Sequence, residues 1–321
     1  MVEDVVLLTQ LPSDAWFEGF AQRPNGQLLI TRLDQPELYT LDAEDPDAEP
    51  QLLHTFDGAN SAINLCPVKG KSDEYVVITG MLDLATVQFS DHVTWHVTLK
   101  DGQDPKVRKI AELEAAAAIG VIPASECTLL IADSFRGVIL RFDISSGKTS
   151  VLVDEDALRP VGESPYGINR LRLTDEFLWF TNSGAGTLSR FPIKYTEGEV
   201  EMAGPIELIS DDLPHCDGLA VTQDKKNAYS ASYMDGLLWK LDIDSENGKS
   251  ERSTILENLV SPTAVEIMDS QGTPKIFVVC CGEIEVGWIN SADRTSWSEF
   301  RDLSLNAQVS VTVTTEVVED A

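Results

Sequence analysis

The sequence predicts an all-β protein, a six-bladed β-propeller in which residues 1–321 form a single domain and an N-terminal strand closes the last blade. Short apolar runs alternate like strands, and glycine-containing turns between them leave little room for helices. The runs recur about every 40 to 50 residues, and a propeller unit buries its sheet faces only against neighbours on both sides. No linker rich in Gly, Ser or Pro interrupts the repeats, so we expect no internal domain boundary.

The first repeat, Trp16–Asp42, is the clearest unit. A Pro-Asn-Gly turn at residues 24–26 separates two strands, and Leu28–Thr31 and Glu37–Leu41 are short apolar runs. An irregular β-sandwich is the alternative fold, but a sandwich does not require a repeat. The remaining units are Gly58–Leu99, Ala115–Gly147, Ser164–Ile193, Pro214–Asp242 and Ser261–Asn290.

Both ends of the chain carry an extra strand. Glu3–Leu11 precedes the first unit, and Val309–Val318 alternates between apolar and polar residues. A strand from the N-terminus that pairs with the last blade removes an exposed sheet edge, so we expect this closure. The alanine-rich segment Glu112–Ala118 resembles a helix, but the repeat register requires the start of a strand there.

The net charge of the chain limits the classes of partner that it can bind. The formal net charge is -29, with only 24 Lys and Arg residues. Phosphate binding depends on clustered basic side chains, so we expect neither nucleic acid nor a membrane surface as a partner. No apolar run approaches about 18 residues, and the acidic N-terminus lacks the basic region of a signal peptide. These features predict a cytoplasmic location for the sequence as given, with a secreted or vesicular location as the alternative if a signal peptide has been removed.

The cysteines and histidines do not form a recognisable site. The chain has five cysteines without C-x-x-C spacing, and we expect them, including the adjacent Cys280 and Cys281, to be reduced. The histidines form no catalytic triad, and no G-x-S-x-G motif is present. We expect His54, His92 and His96 to be exposed.

The candidate site is the funnel at one face of the propeller. The starts of the innermost strands line this funnel together with the loops after the second strands. The insertion Leu82–Asp91 is apolar, and it forms either a lid over the pocket or a loop packed on its own blade. The substrate-binding set predicted from these positions is Trp16, Phe20, Asn60, Met81, Asp133, Phe135, Asn182, Tyr233, Thr263 and Cys280.

Four segments carry a resemblance to a known family. They are W-x-E-G-x-A-x-R-P-N-G-x-L-L-x-T-R-L-D-x-P-E-L-Y at Trp16–Tyr39, DSFRGVILRFD at Asp133–Asp143, YGI at Tyr166–Ile168 and FTNSGAGTLSRFPI at Phe180–Ile193. The chain resembles the senescence marker protein, gluconolactonase and luciferin-regenerating-enzyme superfamily, and within it a fungal biosynthetic branch. The resemblance extends over nearly the whole chain, and it is more specific for the fold than for the reaction.

The resemblance also bears on a metal site. In the hydrolytic members, a divalent ion is held by a Glu of the first blade, an Asn of an N-G-I/L turn and an Asp of a D-G-L turn. Glu18 and Asp217 match the first and last of these ligands, but Tyr166 stands where Asn is expected. A phenol removes one ligand and fills the space of the ion. We therefore expect no cofactor, with Ca²⁺ on Glu18 and Asp217 as the alternative.

Without a metal, the two acids need another role. In a narrow funnel, repulsion and desolvation raise the pKa of at least one of Glu18 and Asp217, which can then act as a general acid. The alternative is that each carboxylate bonds backbone amides in a turn. Tyr166 offers a hydrogen-bond donor on an apolar body, and His215 lies at a funnel start. The predicted catalytic set is Glu18, Tyr166, Asp217 and His215.

Three functions remain open. The resemblance implies a metal-independent hetero-Diels-Alderase that joins a tropolone quinone methide to a humulene-type sesquiterpene alkene. The alternatives are a calcium-dependent lactone hydrolase and a non-catalytic binding propeller. In the first case the partners are apolar small molecules, held by Trp16, Met81, Phe135 and Tyr233. Their oxygen atoms accept hydrogen bonds from side chains on the funnel, namely Tyr166, Asn60, Asn182 and His215.

Overall fold

The structure is a computed structural model that describes residues 5–11, 15–45, 48–244, 249–270, 272–281 and 309–314. These residues form an all-β propeller of antiparallel sheets, and their one helical element is a 3-10 turn at Asp156–Leu158. None of their helices is long and apolar enough to span a membrane. In chain order the strands are β1 (Val5–Leu11), β2 (Phe17–Gln22), β3 (Leu28–Arg32), β4 (Glu37–Leu41), β5 (Gln51–Thr55), β6 (Ser61–Pro67), β7 (Glu74–Asp83), β8 (Gln88–Thr98), β9 (Lys106–Glu112), β10 (Ala118–Pro123), β11 (Thr128–Asp133), β12 (Val138–Asp143), β13 (Thr149–Val153), β14 (Ile168–Leu173), β15 (Phe177–Asn182), β16 (Thr187–Thr196), β17 (Glu199–Met202), β18 (Glu207–Ser210), β19 (Cys216–Val221), β20 (Asn227–Ser232), β21 (Leu237–Ile243), β22 (Ser250–Leu256), β23 (Pro262–Ser270), β24 (Thr273–Cys280) and β25 (Val309–Thr314).

Five blades consist of strands that follow one another along the chain, whereas the sequence predicted six such units. In the fourth, the long strand β16 pairs with β18 along its first half and with β17 along its second half. The segment Glu112–Ala118, which resembles a helix by composition, is a loop between the end of β9 and the start of β10 at Ala118, so the rejection of a helix is confirmed and the predicted strand begins only at its last residue. The strand orders are β2-β3-β4-β5, β6-β7-β8-β9, β10-β11-β12-β13, β14-β15-β16-β17 and β19-β20-β21-β22.

The remaining sheet combines both ends of the chain in the order β1-β25-β24-β23. The last predicted unit, Ser261–Asn290, supplies only β23 and β24, because residues 282–290 lie outside the described residues. The N-terminal strand pairs with β25, and β25 pairs with β24. Residues 3–4 and 315–318 of the two predicted end strands also lie outside the described residues.

The first strands of successive sheets surround a central channel. β2 contacts β6, the contacts continue through β10, β14, β19 and β23, and β23 contacts β2 again. Each of these strands has a register shift close to its start. A bulge adds local twist and re-aims the side chains beside it. The bulges therefore turn the first side chains of the inner strands toward the funnel.

Gly218 shows how closely the inner strands approach one another. A Cβ atom added to Gly218 would lie 2.7 Å from the backbone nitrogen of Val265 on the neighbouring strand. Only glycine fits such a contact without movement of the backbone. Asp217 immediately precedes this glycine in the bulge of β19. The close packing of β19 on β23 thus holds the Asp217 backbone at the funnel.

The core lies between the blades rather than inside any one of them. Phe17 and Leu28 of the first blade pack with Ala264 and Phe277 of the sheet that contains β23 and β24. Trp179 packs with Trp239 and residues of β19 and β21 between the fourth and fifth blades. Such burial stabilises a protein by roughly 1.5 to 3 kcal/mol for each large apolar side chain. Neighbouring blades hold one another in place, and this fixes the funnel residues.

Candidate active site

A pocket opens where the inner strands begin. The pocket has a volume of about 780 Å³, which includes the part of its mouth that is open to solvent. Its lining is mainly aromatic and aliphatic side chains, and it includes the nearly buried carboxyl group of Glu18, that of Asp217 and the more exposed imidazole of His215. Six of the residues predicted for the site line it together: Trp16, Glu18, Tyr166, His215, Asp217 and Tyr233.

An arginine that the sequence analysis missed, Arg170, is buried beneath the pocket, next to Glu18 and Asp217 of its lining. The Nη2 atom of Arg170 makes an ion pair with Glu18 Oε1. The same atom donates hydrogen bonds to the backbone carbonyl oxygens of Glu18 at 3.2 Å and of Thr263 at 3.1 Å. Its Nε atom is 3.4 Å from Asp217 Oδ1, an ion-pair distance without hydrogen-bond geometry. Glu18 and Arg170 are 3% and 4% exposed. The guanidinium therefore lies between the two carboxyl groups that the family resemblance assigns to a metal.

A signal for Arg170 is present in the sequence. Arg170 and Arg172 are two residues apart on the inner strand β14, so their side chains leave the same face of the strand. Arg172 makes a second ion pair, with Glu266 of β23. Buried arginines are rare unless they are paired. An inner propeller strand with two arginines therefore predicts acidic partners across the channel.

The electrostatics of this base favour one bound proton. Burial raises the pKa of both Glu18 and Asp217. The charge of Glu18 raises the pKa of Asp217 further, whereas the Arg170 guanidinium opposes the rise for both. Trp16 Nε1 also donates a hydrogen bond to Glu18 Oε2 at 3.0 Å, which favours the ionised form of Glu18. When Asp217 holds the proton, the negative charge of Glu18 and the positive charge of Arg170 balance, and the three groups together have no net charge.

Aromatic rings form the walls above the base. Trp16 stacks on Tyr233 with a centroid distance of 6.1 Å and an interplanar angle of 17°. Tyr166 packs against Phe135 at 5.3 Å. Burial raises the pKa of both tyrosines, and the nearby carboxyl groups raise it further. Both phenols therefore remain neutral hydrogen-bond donors at physiological pH.

The apolar insertion of the second blade is part of the wall. It extends the hairpin of β7 and β8, with the turn at residues 84–87. Val87 and Phe89 line the pocket, and Phe89 also packs against Phe135. The insertion thus packs on the protein and borders the pocket at the same time.

Three predicted binding residues stabilise loops instead of lining the pocket. The Asn60 side chain bonds the backbone N–H and C=O of Leu82 at 2.7 and 2.9 Å. Asp133 accepts hydrogen bonds from the N–H groups of Ala116 and Ala117 at 2.9 and 3.0 Å. Their polar atoms are thereby engaged with backbone. Asn182 similarly donates to the carbonyls of Ala157 and Arg159.

Five other predicted binding residues also lie outside the pocket lining. Phe20 is buried between the first blade and β23, and Cys280 is buried between β20 and β24, because both side chains face neighbouring blades. Met81 is exposed on the hairpin outside the pocket. Thr263 Oγ1 donates to backbone carbonyls, including Phe17 O at 2.8 Å, and Phe135 supports Tyr166 from behind.

His92 is buried, which corrects the expectation that it is exposed. It is 2% exposed, its ring stacks on Phe89, and the N–H of Ala118 lies 3.5 Å from its Nε2. His54 and His96 are partly exposed. Burial lowers the pKa of His92 from its ordinary 6.5 to about 4. His92 is therefore neutral at physiological pH and supports the wall behind Phe89.

This pKa predicts a loss of stability in acid. The unfolded imidazole binds a proton near pH 6.5 and the folded one only near pH 4, so the stabilising contribution is present above pH 6.5 and lost as pH falls toward 4. Between these pH values, the wild type should lose on the order of 3 kcal/mol more unfolding free energy than His92→Gln. Urea titrations at several pH values measure the difference, with His96→Gln, at a partly exposed histidine, as the control. Parallel curves for the wild type and His92→Gln would contradict the assignment.

Comparison with known proteins shows a shared fold. No protein-family model matches the chain, and no curated sequence matches it. Solved structures do match. A luciferin-regenerating enzyme has a TM-score of 0.67 at 10% identity, covering 97% of this chain and 95% of that one. An aldose sugar dehydrogenase from Streptomyces coelicolor, in its PQQ-bound form, has a TM-score of 0.62 at 13% identity, with 97% and 98% coverage. Regucalcin from Agrobacterium tumefaciens, a calcium-binding protein, has a TM-score of 0.59 at 14% identity, covering 96% of this chain and 93% of that one.

The chain is a propeller of the same kind as these proteins. At these identities the likeness concerns the fold alone. A calcium site requires several oxygen ligands around one position, and here the Arg170 guanidinium lies between the two candidate carboxylates. Within the described ranges, no group of three or more His, Cys, Asp or Glu residues is arranged to hold a metal ion. The residues present do not fit a calcium ion.

Proposed function

We propose that the protein is a metal-independent enzyme that acts on an apolar small molecule in the funnel. More specifically, we propose a hetero-Diels-Alderase of a fungal biosynthetic type, which joins a tropolone quinone methide to a humulene-type sesquiterpene alkene. The observation that carries the proposal is the aromatic pocket above a buried Glu18, Arg170 and Asp217 set. In this proposal the sheet of β1, β25, β24 and β23 serves as the sixth blade.

The walls suit the holding of two apolar reactants. The stacked rings of Trp16 and Tyr233 offer a flat apolar surface for the hydrocarbon partner. A pericyclic step needs little covalent help, and alignment of the reactants can supply roughly 7 to 11 kcal/mol in favourable cases. Apolar reactants also gain from leaving water, at roughly 25 cal/mol per Å² of buried surface.

The polar groups suit an oxygen-bearing diene. Tyr166 is a neutral phenol in the wall, and a hydrogen bond from it to the tropolone oxygen lowers the energy of the developing charge. Asp217 holds a proton at the base and can donate it to a leaving hydroxyl group. Arg170 opposes the rise in the pKa of Glu18, and the pKa of Asp217 is raised further, so in this proposal Asp217 is the acid and Glu18 the partner of the guanidinium.

Turnover of defined reactants tests the proposal. Purified protein treated with EDTA is mixed with α-humulene and a hydroxymethyl-substituted tropolone that loses water to give the quinone methide. We expect faster formation of one cycloadduct stereoisomer than in buffer, measured by chiral liquid chromatography with mass spectrometry. Equal rates and a racemic product with and without protein would contradict the proposal. Saturable binding without acceleration would indicate a non-catalytic binding propeller.

Tyr166→Phe should keep the fold and lower the rate roughly ten- to a hundredfold. A hydrogen bond to a developing charge is worth about 1.5 to 3 kcal/mol, and phenylalanine retains the contact with Phe135. The measurement is kcat in the cycloaddition assay, together with the melting temperature. Tyr195→Phe, at an exposed site on β16, is the control and should leave kcat unchanged. An unchanged rate for Tyr166→Phe would reduce the phenol to a packing role.

A lactone hydrolase is the second candidate. It is favoured by the fold shared with regucalcin and by the position of Glu18 and Asp217 at the base of the funnel. The Arg170 guanidinium between these carboxyl groups argues against it. Hydrolysis of gluconolactone that depends on added calcium would favour this candidate over the first.

A further inference from the structure

A histidine and an aspartate are paired at the rim of the pocket. His215 lines the pocket, and its Nδ1 lies 3.2 Å from Oδ2 of Asp235, in the turn between β20 and β21. Among the described residues, no group bonds His215 Nε2. The two ring nitrogens of imidazole point in different directions, so an Nδ1 held by Asp235 leaves Nε2 available to a ligand.

The backbone holds this pair in place. His215 has φ of +56°, in the left-handed region, which is uncommon for residues other than glycine and is worth explaining where it occurs. The His215 carbonyl accepts a hydrogen bond from the N–H of Tyr233 at 3.0 Å. Ser232 Oγ lies 2.7 Å from Asp235 Oδ2 and 2.9 Å from the Pro214 carbonyl. The loop and the turn are thus joined on both sides of the pair.

The pair contributes little to stability. The side chains of His215 and Asp235 are 48% and 38% exposed, and exposed ion pairs are worth about 0 to 1 kcal/mol. A left-handed residue is itself unfavourable by about 1 to 3 kcal/mol, and such residues cluster at functional sites. A role in orienting the imidazole at the pocket therefore explains the His215–Asp235 pair better than a contribution to the stability of the fold does.

We propose that Asp235 is a positioning residue that keeps the proton of neutral His215 on Nδ1, so that Nε2 accepts a proton from a hydroxyl group of the substrate. The proposal rests on the function proposed above and adds the base for the formation of the quinone methide. An acidic ring hydroxyl beside a hydroxymethyl group is the matching substrate chemistry. Asp217 at the base is the acid of the same step.

The step balances without an external reagent. His215 Nε2 takes the proton of the ring hydroxyl, and the electron pair of that O–H bond becomes the new C=O bond of the quinone methide. The electron pair of the adjacent ring C=C bond moves to form the exocyclic C=CH2 bond, the C–O bond of the hydroxymethyl group breaks with its electron pair, and the leaving hydroxide takes the proton of Asp217 and departs as water. The exposed imidazolium then releases its proton to solvent, while Asp217 regains one. Nothing is oxidised or reduced.

The tautomer can be read without any substrate. In ¹⁵N-labelled protein, long-range ¹⁵N–¹H correlations distinguish the two tautomers for each of the four histidines. We expect neutral His215 to carry its proton on Nδ1 in the wild type. In Asp235→Asn the side-chain amide can donate to Nδ1, so we expect a shift toward the Nε2–H form. A wild-type His215 that is mainly Nε2–H, or no change in Asp235→Asn, would overturn the proposal.

Kinetics test the role of the pair. We expect Asp235→Asn to lower kcat for the hydroxymethyl precursor at least tenfold with little change in KM, and Asp235→Glu to restore part of it. The matched control is Glu74→Gln, because His96 Nε2 makes a comparable 3.0 Å pair with Glu74 away from the pocket. It should change the state of His96 and leave kcat unaffected. An unchanged kcat in Asp235→Asn would overturn the positioning role.

The two proposals can fail separately. If the wild type turns over no precursor, the proposed function fails, while the tautomer measurement still decides whether Asp235 fixes His215. If a preformed quinone methide is used instead, the base is not needed, and Asp235→Asn should match the wild-type rate. A tenfold loss with the preformed quinone methide as well would show that Asp235 acts on the pocket in general and would overturn the assigned step.

Discussion

Arg170→Met should lower the free energy of unfolding by about 3 to 5 kcal/mol, the range found when one partner of a buried ion pair is removed. Arg170 is nearly fully buried and interacts with Glu18, Asp217 and the Thr263 carbonyl. Methionine fills a similar volume but leaves two buried carboxyl groups without a cation. Urea denaturation at neutral pH, analysed with a fixed m-value, measures the loss.

A matched variant and a rescue complete this experiment. Lys225→Met removes an ion pair with Glu176 whose side chains are 29% and 64% exposed, and it should change stability by less than about 1 kcal/mol. Addition of Glu18→Gln and Asp217→Asn to Arg170→Met removes the buried carboxyl groups that have lost their cation and should recover part of the loss. If Arg170→Met were no more destabilising than Lys225→Met, the guanidinium would not be the cation of this site.

Asp217→Asn should lower kcat by roughly a hundred- to ten-thousandfold, because a positioned general acid contributes about that factor. Burial and the charge of Glu18 raise the pKa of Asp217. The folded carboxyl group therefore keeps its proton at pH values well above those at which a free aspartate loses it. Asparagine has nearly the same shape as the protonated acid but has no proton to give. The fold should therefore survive, as checked by the melting temperature.

The pH dependence of the reaction gives an independent check on Asp217. The acid form is present below the folded pKa of Asp217, so its contribution to the rate is lost as pH rises through that pKa. The asparagine variant should lack this alkaline decline. Asp212→Asn, at an exposed ion pair with Arg252, is the control and should retain the wild-type profile. A full rate for Asp217→Asn with the hydroxymethyl precursor would contradict the assigned acid.

The fold was predictable because its signals are local. Each repeat contains strands separated by turns, and three of these turns end at Gly137, Gly186 and Gly236, all with φ between 64° and 66°. A positive φ is disfavoured for residues with a side chain, so glycine marks the turn in the sequence itself. Closure of the last sheet by the N-terminal strand was also predicted, from the need to remove a sheet edge and not from a local signal, because the pairing of β1 with β25 joins residues at opposite ends of the sequence.

The same turns explain why two predicted binding residues lie outside the pocket lining. Asp133 and Asn182 occupy equivalent places at the ends of β11 and β15, and both bond backbone groups of neighbouring loops. Asx residues at such positions are typical turn-stabilising side chains. Sequence position predicted that they lie at the funnel face. It did not reveal that their polar atoms are already used by the backbone.

Arg170 escaped prediction because its partners are distant in the chain. Its contact with Glu18 spans 152 residues. Glu18, Tyr166 and Asp217 line the pocket together, but the motif that they follow is defined by ligands and contains no position for a cation of the protein itself. The direction of an inner-strand side chain also depends on the bulge beside it, which the sequence does not display.

Calcium titration calorimetry on EDTA-treated wild-type protein tests the central claim most directly. Because Arg170 provides the positive charge between Glu18 and Asp217, we expect no saturable heat of binding up to millimolar calcium. The melting temperature should likewise be unchanged by calcium. One-to-one binding in the micromolar range that disappears in Glu18→Gln would show that a metal ion, rather than Arg170, is the cation of the funnel.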